Sequence, residues 1–496
     1  MVLTVTVVVG QDRVKGLMQK SRQLIRPVPQ QRMPRVRAKG AGRISIVRRF
    51  VANPALHPWY GVTFTKNREL GLGPFELGPQ QRKGFGRLII TEHRRPKRQR
   101  IGRQMRLYRV GQCVKMQLYV LWNLAVLALT HTLPQLQRFS GNPKDDLHAF
   151  DSADEYLLQS LLPQGLDSSR PILILGDNFG ALTCALAEFK VTSVSDSVVS
   201  HNAIAANLNA LGRQAALVDP LAPWPAEPQL VLARIPKQLS LLELWLATLK
   251  PLLAKDTLVL LAGRDRDIPA SAEAMISRHI GPTEKLLGWK KARTFVCQSD
   301  GKAPLPLPPP ISWPLEGTGF TLSHFANVFS RQSLDIGARL MLANLPQGRF
   351  DKVIDLGCGN GVLGLMMASQ YPDAHYSLVD ESYLAVASAR HNLSQNLPEV
   401  KADCVANDCL RGFTASSVDL VLCNPPFHQQ QVITDHIAWQ MFKDAFRVLR
   451  PGGELWIVGN RHLGYHLKLK RLFGGCKVVA SDRKFVILRT IKRRTS

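Results

Sequence analysis

Apolar and polar positions along this chain repeat two motifs in alternation. Short, nearly unbroken apolar runs such as Ile172-Leu173-Ile174-Leu175 and Val353-Ile354-Asp355-Leu356 carry the signature of strands buried on both faces. Each run leads into a glycine turn and then a stretch of helical periodicity. Gly176-Asp177-Asn178-Phe179-Gly180 precedes an alanine-rich helix, and Gly357-Cys358-Gly359-Asn360-Gly361 precedes a helix over 362–369. Further strands are expected over 376–379 and 418–423, helices over 334–345 and 385–396, and a short strand pair within 311–320. A helix opens after 151, capped by Asp151 or Ser152. Strand–helix alternation of this kind predicts an α/β fold with doubly wound, mostly parallel sheets.

The pattern occurs twice. Gly176 and Gly180 answer Gly357 and Gly361, and Ser195-Asp196-Ser197 answers Val379-Asp380-Glu381. Arg234-Ile235-Pro236-Lys237 answers Asn424-Pro425-Pro426-Phe427, and Phe295-Val296 answers Phe485-Val486. The first copy lacks the glycines at the positions of Gly359 and Gly364, and it lacks Asn-Pro-Pro. It is therefore expected to keep the scaffold without the chemistry. The Pro-rich stretch over 304–310 reads as an extended spacer. The expected organisation is a degenerate half over 131–300, a linker over 301–315 and a chemically equipped half over 316–496.

Charge changes the picture of the N-terminal quarter. Net charge is +27, and residues 1–120 hold 26 Lys or Arg against 4 Asp or Glu. Residues 1–130 lack sustained periodicity and read as a disordered basic extension, or as sequence lying before the natural start. Arg94-Arg95-Pro96-Lys97-Arg98-Gln99-Arg100 suits nucleic-acid phosphates. The apolar run over 118–129 is too short for a membrane span of about 20 residues, so no membrane partner is expected. Eight scattered cysteines without a C-x-x-C pair argue against a metal site or a disulfide framework and fit a reducing cytoplasm.

Candidate chemistry concentrates in the second half. Asp355-Leu356-Gly357-Cys358-Gly359-Asn360-Gly361-Val362-Leu363-Gly364 is a strand-to-helix glycine turn, where backbone can approach a ligand. The pattern Gly359-x-Gly361-x-x-Gly364 also fits a dinucleotide. Asp380, about 20 residues on, suits ribose hydroxyls with either ligand. Asp355 favours S-adenosyl-L-methionine, because a carboxylate there suits a cation and repels a pyrophosphate. Asn360, Gly361, Glu381, Asn407 and Asp408 complete the expected cofactor set. Asn424-Pro425-Pro426-Phe427 is a stiff turn at a strand end. The Asn424 side chain and the Pro425 carbonyl can accept from a planar NH2 group while Phe427 stacks on its ring. These are the expected catalytic residues, with no protein nucleophile required.

The segments 355–364 and 424–427 resemble the methyltransferases that modify exocyclic amines. Phe329-Ser330-Arg331, Leu334-Asp335-Ile336-Gly337-Ala338-Arg339 and the duplicated half resemble the two-domain ribosomal RNA guanine-N2 methyltransferases. Cys423-Asn424-Pro425-Pro426-Phe427-His428-Gln429-Gln430, with Trp439 and Gly459-Asn460-Arg461-His462-Leu463, resembles the large-subunit members more than the small-subunit ones. The resemblance covers 132 to the end and implies two Rossmann-like class I methyltransferase domains. It also implies methylation of one guanine N2 in 23S rRNA, naked or in an assembly intermediate, by a monomer. Methylation of 16S rRNA, of a protein glutamine amide, and a non-catalytic role in ribosome assembly are the alternatives.

Overall fold

The computed structural model describes residues 4–7, 60–63, 130–131, 133–138, 147–161, 166–426 and 431–493, the side chains of 4–7, 60–63 and 431–435 excepted. The chain divides into two units, 1–100 and 101–496. In the first unit, β1 (Thr4–Val7) and β2 (Tyr60–Thr63) pair antiparallel, Thr4 opposite Thr63. The expectations for the rest of the basic extension, the polybasic run and the apolar run over 118–129 lie outside the described residues.

In the second unit, α1 (Ser152–Ser160) starts at Asp151, whose side chain accepts the Ala153 N–H while Asp154 reaches back to the Asp151 N–H. This reciprocal capping satisfies N–H groups that have no partner within the helix. The strands β3 (Ile172–Leu175), β4 (Val191–Val194), β5 (Ala216–Val218), β6 (Leu230–Arg234), β7 (Leu258–Arg264), β8 (Thr283–Lys285) and β9 (Ala292–Cys297) follow. They form one sheet in the order β5-β4-β3-β6-β7-β9-β8, with β9 antiparallel to both its neighbours. Between them run α2 (Ala181–Leu186), α3 (Val198–Ala210), α4 (Leu239–Leu249) and α5 (Ala272–His279).

The proline-rich stretch that follows forms neither helix nor strand. The next hairpin pairs β10 (Ile311–Pro314) with β11 (Thr321–His324), so the second strand lies beyond the span expected for it. The reason is the turn: Gly317 takes φ 75°, and Thr318 bonds back to the Leu315 carbonyl, so strand pairing resumes only after Phe320.

Thereafter the first layout returns. The strands β12 (Lys352–Leu356), β13 (His375–Asp380), β14 (Ala402–Ala406), β15 (Val418–Cys423), β16 (Leu449–Asn460), β17 (Lys477–Ser481) and β18 (Phe485–Ile491) form a sheet in the order β14-β13-β12-β15-β16-β18-β17. This is the same order as in the first sheet. The helices are α6 (Ile336–Leu342), α7 (Val362–Gln370), α8 (Tyr383–Asn396), α9 (Gln431–Val448) and α10 (Tyr465–Phe473). Alternate residues of β12 feed opposite cores. Val353 packs with Leu365 and Leu420, while Ile354 and Leu356 pack with Val421 and Phe442. Burial on both faces explains the near-continuous apolar runs, each buried Leu or Ile contributing about 1.5–3 kcal/mol. Asp419 interrupts one run without breaking the strand. Its carboxylate accepts the Asp351 and Lys352 N–H groups at 2.6 and 3.0 Å and meets Arg450 at 2.6 Å. Trp245 and Trp456 are buried, as their apolar settings predict.

The halves meet through equivalent segments. Ser197 caps α3 and Ser382 caps α8, and these two residues face each other in an antiparallel bridge. The Val198 N–H donates to the Glu381 carbonyl and the Tyr383 N–H to the Asp196 carbonyl, both at 3.0 Å. Among the described residues no helix is long and apolar enough to cross a membrane.

Candidate active site

Four adjacent strands, β14, β13, β12 and β15, end on one side of the second sheet. Their carboxyl ends carry Asn407 and Asp408, Asp380 and Glu381, the turn after Asp355, and Asn424. Open α/β sheets place ligands at such a rim.

The glycine turn is shaped by its own geometry. Gly357, Gly359 and Gly361 have φ of 74°, 54° and 78°, a region that costs other residues about 1–2 kcal/mol. A Cβ on Gly361 would lie 2.9 Å from both the Ala389 Cβ and Leu378 Cδ2, so this glycine lets α7 pack on α8. A Cβ on Gly359 would meet nothing within 4 Å. Gly359 therefore borders open space and leaves room for a ligand. Its N–H donates to Asp380 Oδ2 at 2.9 Å, tying the turn to the end of β13.

Acidic groups crowd this space. Asp355 is buried, and one carboxylate oxygen accepts the Gly364 N–H at 2.9 Å while the other, Oδ1, has no partner among the described residues. Burial, opposed by that single bond and reinforced by Asp380, pushes its carboxyl up to about 7. Burial also raises Asp380, against the bonds it accepts from Ser382, Gly359 and Glu381 N–H groups. Glu381, at the solvent edge of the rim, is pushed up by the surrounding protein, with Ser197 opposing and the charges of Asp380 and Asp408 adding. Clustered carboxylates that resist ionisation together suit a positively charged ligand, which relieves their repulsion.

Asn424 lies directly after β15, its carbonyl 3.5 Å from where a Cβ on Gly357 would sit. Its side-chain Oδ1 is buried and has no partner among the described residues. A buried acceptor left unpaired costs about 1–3 kcal/mol and marks a place where a donor is missing. Pro425 is buried and Pro426 exposed. Phe427 lies outside the described residues, as does His428.

Other expected residues are engaged locally. The Asn407 amide donates to the Cys409 and Arg411 carbonyls, and Asp408 accepts from Gln440. Asn360 spends its side chain on shape: its Oδ1 accepts the Val362 N–H at 3.1 Å, and its amide lies 2.7 Å from His324 Nε2. His324 is buried and stacks on Trp313, and burial lowers its imidazole below the ordinary value. Its Nδ1 meets the Ile311 carbonyl at 3.2 Å, so Nδ1 carries the hydrogen and Nε2 accepts from Asn360. Asn392 adds a bond to the Asn360 carbonyl. Sequence reasoning missed His324 and Asn392. A buried His on a hairpin and an Asn inside a helix were the only signals for them. Among the described residues no cluster of His, Cys, Asp and Glu could hold a metal ion.

At the equivalent rim of the first half, the chain's own side chains engage the turn and the end of β6. Asp177 follows Gly176, and its carboxylate accepts the N–H groups of Gly180, Ala181, Leu182 and Thr183, and the Thr183 hydroxyl, at 2.8–3.1 Å. The buried Trp245 ring crowds Gly176, with Cη2 2.7 Å from where a Cβ would be. Arg234 occupies the position of Asn424 and is paired with Asp154 at 2.5 Å and Asp151 at 2.9 Å.

Residues 319–489 match the family model of the Methyltransferase small domain, and residues 125–301 that of the RLMG N-terminal domain. The Ribosomal RNA large subunit methyltransferase G of Aeromonas salmonicida is 50% identical over 374 residues, covering 74% of this chain and 99% of that protein. Its counterpart from Klebsiella pneumoniae is 46% identical over 365 residues, covering 72% of this chain and 96% of that protein. A solved Thermus thermophilus structure, the 16S rRNA N2 G1207 methyltransferase in complex with AdoMet and guanosine, superimposes with a TM-score of 0.59 at 25% identity. The match covers 69% of this chain and 92% of that one.

Proposed function

The chain belongs to the family of the ribosomal RNA large subunit methyltransferases G, and on that premise we propose that it methylates the exocyclic N2 amine of one guanine in 23S rRNA. The relatives' name points to the large subunit, and the AdoMet- and guanosine-bound Thermus thermophilus enzyme acts on a guanine N2. The observation that carries the reading is the buried, unpartnered Asn424 Oδ1 at the end of β15.

The residues present fit S-adenosylmethionine. The unpartnered Asp355 Oδ1, the open space at Gly359 and the acidic cluster all suit a cationic nucleoside ligand. Asp355, Gly357, Gly359 and Gly361 would hold it along the turn, which Asn360 shapes from behind. Asp380 and Glu381 would take the ribose hydroxyls, and Asn407 and Asp408 would border the adenine. When bound, the cofactor supplies an electrophilic methyl group on a sulfonium. Asn424 Oδ1 and the Pro425 carbonyl accept the two amine hydrogens, which aims the nitrogen lone pair outward. Pro426 stiffens the turn, and Phe427 stacks on the base. No residue need act as nucleophile, so positioning supplies most of the rate. Residues 131–300 act as a cofactor-free half, 301–315 as a connector and 316–496 as the catalytic half. A single chain suffices, working on rRNA in the cytoplasm.

The test is Asn424→Ala with radiolabelled S-adenosylmethionine and 23S rRNA, both naked and within large-subunit particles. Turnover falls by on the order of a hundredfold or more, while S-adenosylhomocysteine binds within a few-fold of wild type. Normal turnover in the variant would overturn the assignment.

A further inference from the structure

The first half reaches a side chain of the acidic rim of the other half through Ser197. The Ser197 hydroxyl, from the first half, lies 2.5 Å from Glu381 Oε2 and donates to it. The same oxygen accepts the Ser200 N–H at 3.2 Å and so caps α3. Beside it, the buried Asp196 crosses in the other direction. Its carboxylate accepts the Leu384 N–H at 2.8 Å, the Ser382 hydroxyl at 2.8 Å and the Asn327 amide at 2.7 Å. His201 Nδ1 and the Tyr383 hydroxyl, 3.0 Å apart, close the far side. These bonds bracket residues 380–384, the segment from which Asp380 ties down the glycine turn through the Gly359 N–H.

We propose that Ser197, braced by Asp196, is a positioning residue for the cofactor: the half without chemistry fixes the rotamer of Glu381 and the path of the loop that carries it. The inference rests on the functional reading above, in which Glu381 faces the ribose. Glu381 is exposed, and a free glutamate side chain loses rotamer entropy when it engages a ligand. A hydroxyl donor already seated on the carboxylate removes part of that loss before the ligand arrives. Ser197 thereby links the N-terminus of α3 in one half to ligand affinity in the other.

Two substitutions separate positioning from mere stability. Ser197→Gly removes the hydroxyl but leaves a residue favoured at helix N-caps, whereas Ser197→Ala removes the hydroxyl and the cap. The full chain is titrated with S-adenosylhomocysteine by calorimetry, alongside thermal melts. Both variants bind about three- to tenfold more weakly, although only Ser197→Ala melts clearly lower, and Ser197→Thr restores wild-type affinity. In turnover assays, Ser197→Gly raises the KM for S-adenosylmethionine with kcat on rRNA nearly unchanged. Wild-type affinity in Ser197→Gly, or affinity that merely follows melting temperature across the three variants, overturns this proposal alone. A wild type that binds no S-adenosylhomocysteine overturns the functional reading as well.

Discussion

Replacing Gly361 and Gly359 in turn by alanine separates two demands that one turn places on glycine. Both residues have positive φ, 78° and 54°, so each alanine carries about 1–2 kcal/mol of backbone cost. At Gly361 the new methyl would also lie 2.9 Å from Ala389 Cβ and Leu378 Cδ2 and 3.1 Å from Ala389 Cα. Leu378 and Ala389 are fully buried, so neither can yield without moving β13 or α8. Overpacking of that kind adds about 1–3 kcal/mol. Gly361→Ala therefore costs about 2–5 kcal/mol and Gly359→Ala about 1–2 kcal/mol. Ligand affinity is expected to run the other way relative to stability, because the methyl at 359 enters the open space beside Asp380. The assay is hydrogen exchange of the strands β12 and β13 for stability, with S-adenosylhomocysteine calorimetry for affinity. Gly359→Ala should stay folded and bind at least tenfold more weakly, an effect of about 1.4 kcal/mol. If Gly361→Ala proves no less stable than Gly359→Ala, the packing argument is wrong. If Gly359→Ala binds normally, the open space is not where the ligand lies.

Three further outcomes follow from buried charges. Asp355 has a carboxyl raised from 3.8 to about 7, so the folded state holds its proton more tightly than the unfolded chain. Its ionisation therefore costs stability progressively as pH rises from about 4 to 7; Asp355→Asn should raise the melting temperature at pH 8, keep less than half of that gain at pH 5 and almost none near pH 4, and bind S-adenosylhomocysteine more weakly. Asp177→Ala strips the shared acceptor from four N–H groups at the start of α2 and should destabilise the first half by about 3 kcal/mol, read by hydrogen exchange of β3 and α2. Arg234→Ala leaves the buried Asp154 without its cation and Asp151 with Arg264 alone, 3.5 Å away, and should cost about 3–5 kcal/mol. That loss should be largest above pH 7 and shrink toward pH 5, because Asp154, already raised to about 6 beside its arginine, takes up a proton; urea unfolding at the two pH values checks it.

Local chemistry made much of this readable from sequence. Strands buried on both faces leave continuous apolar runs, and two prolines after Cys423 end β15 where the pattern predicts. The repeat was visible because equivalent turns need equivalent glycines, as at Gly176 and Gly357 with φ of 74° each. Long-range pairing was not readable. Asp196 finds Asn327, Ser382 and Leu384 across 131 to 188 residues of chain, and no periodicity encodes such a partner. The same holds for His324 and Asn360, brought together only when the β10–β11 hairpin packs beside the glycine turn. The hairpin's second strand was misplaced because turn length, set by the backbone of Gly317 and Thr318, leaves no hydrophobic trace.

Asp177 gives the first half an unusual thermodynamic status. Its carboxylate is an acceptor for the N–H groups opening α2, covalently supplied and at a concentration no solute can reach. The turn of that half is thus satisfied from within the chain, with no bound solute needed for these N–H groups. Added cofactor should therefore protect residues 316–496 most, and the first half only through its bonds at Asp196 and Ser197, a contrast that hydrogen exchange with and without S-adenosylhomocysteine would resolve.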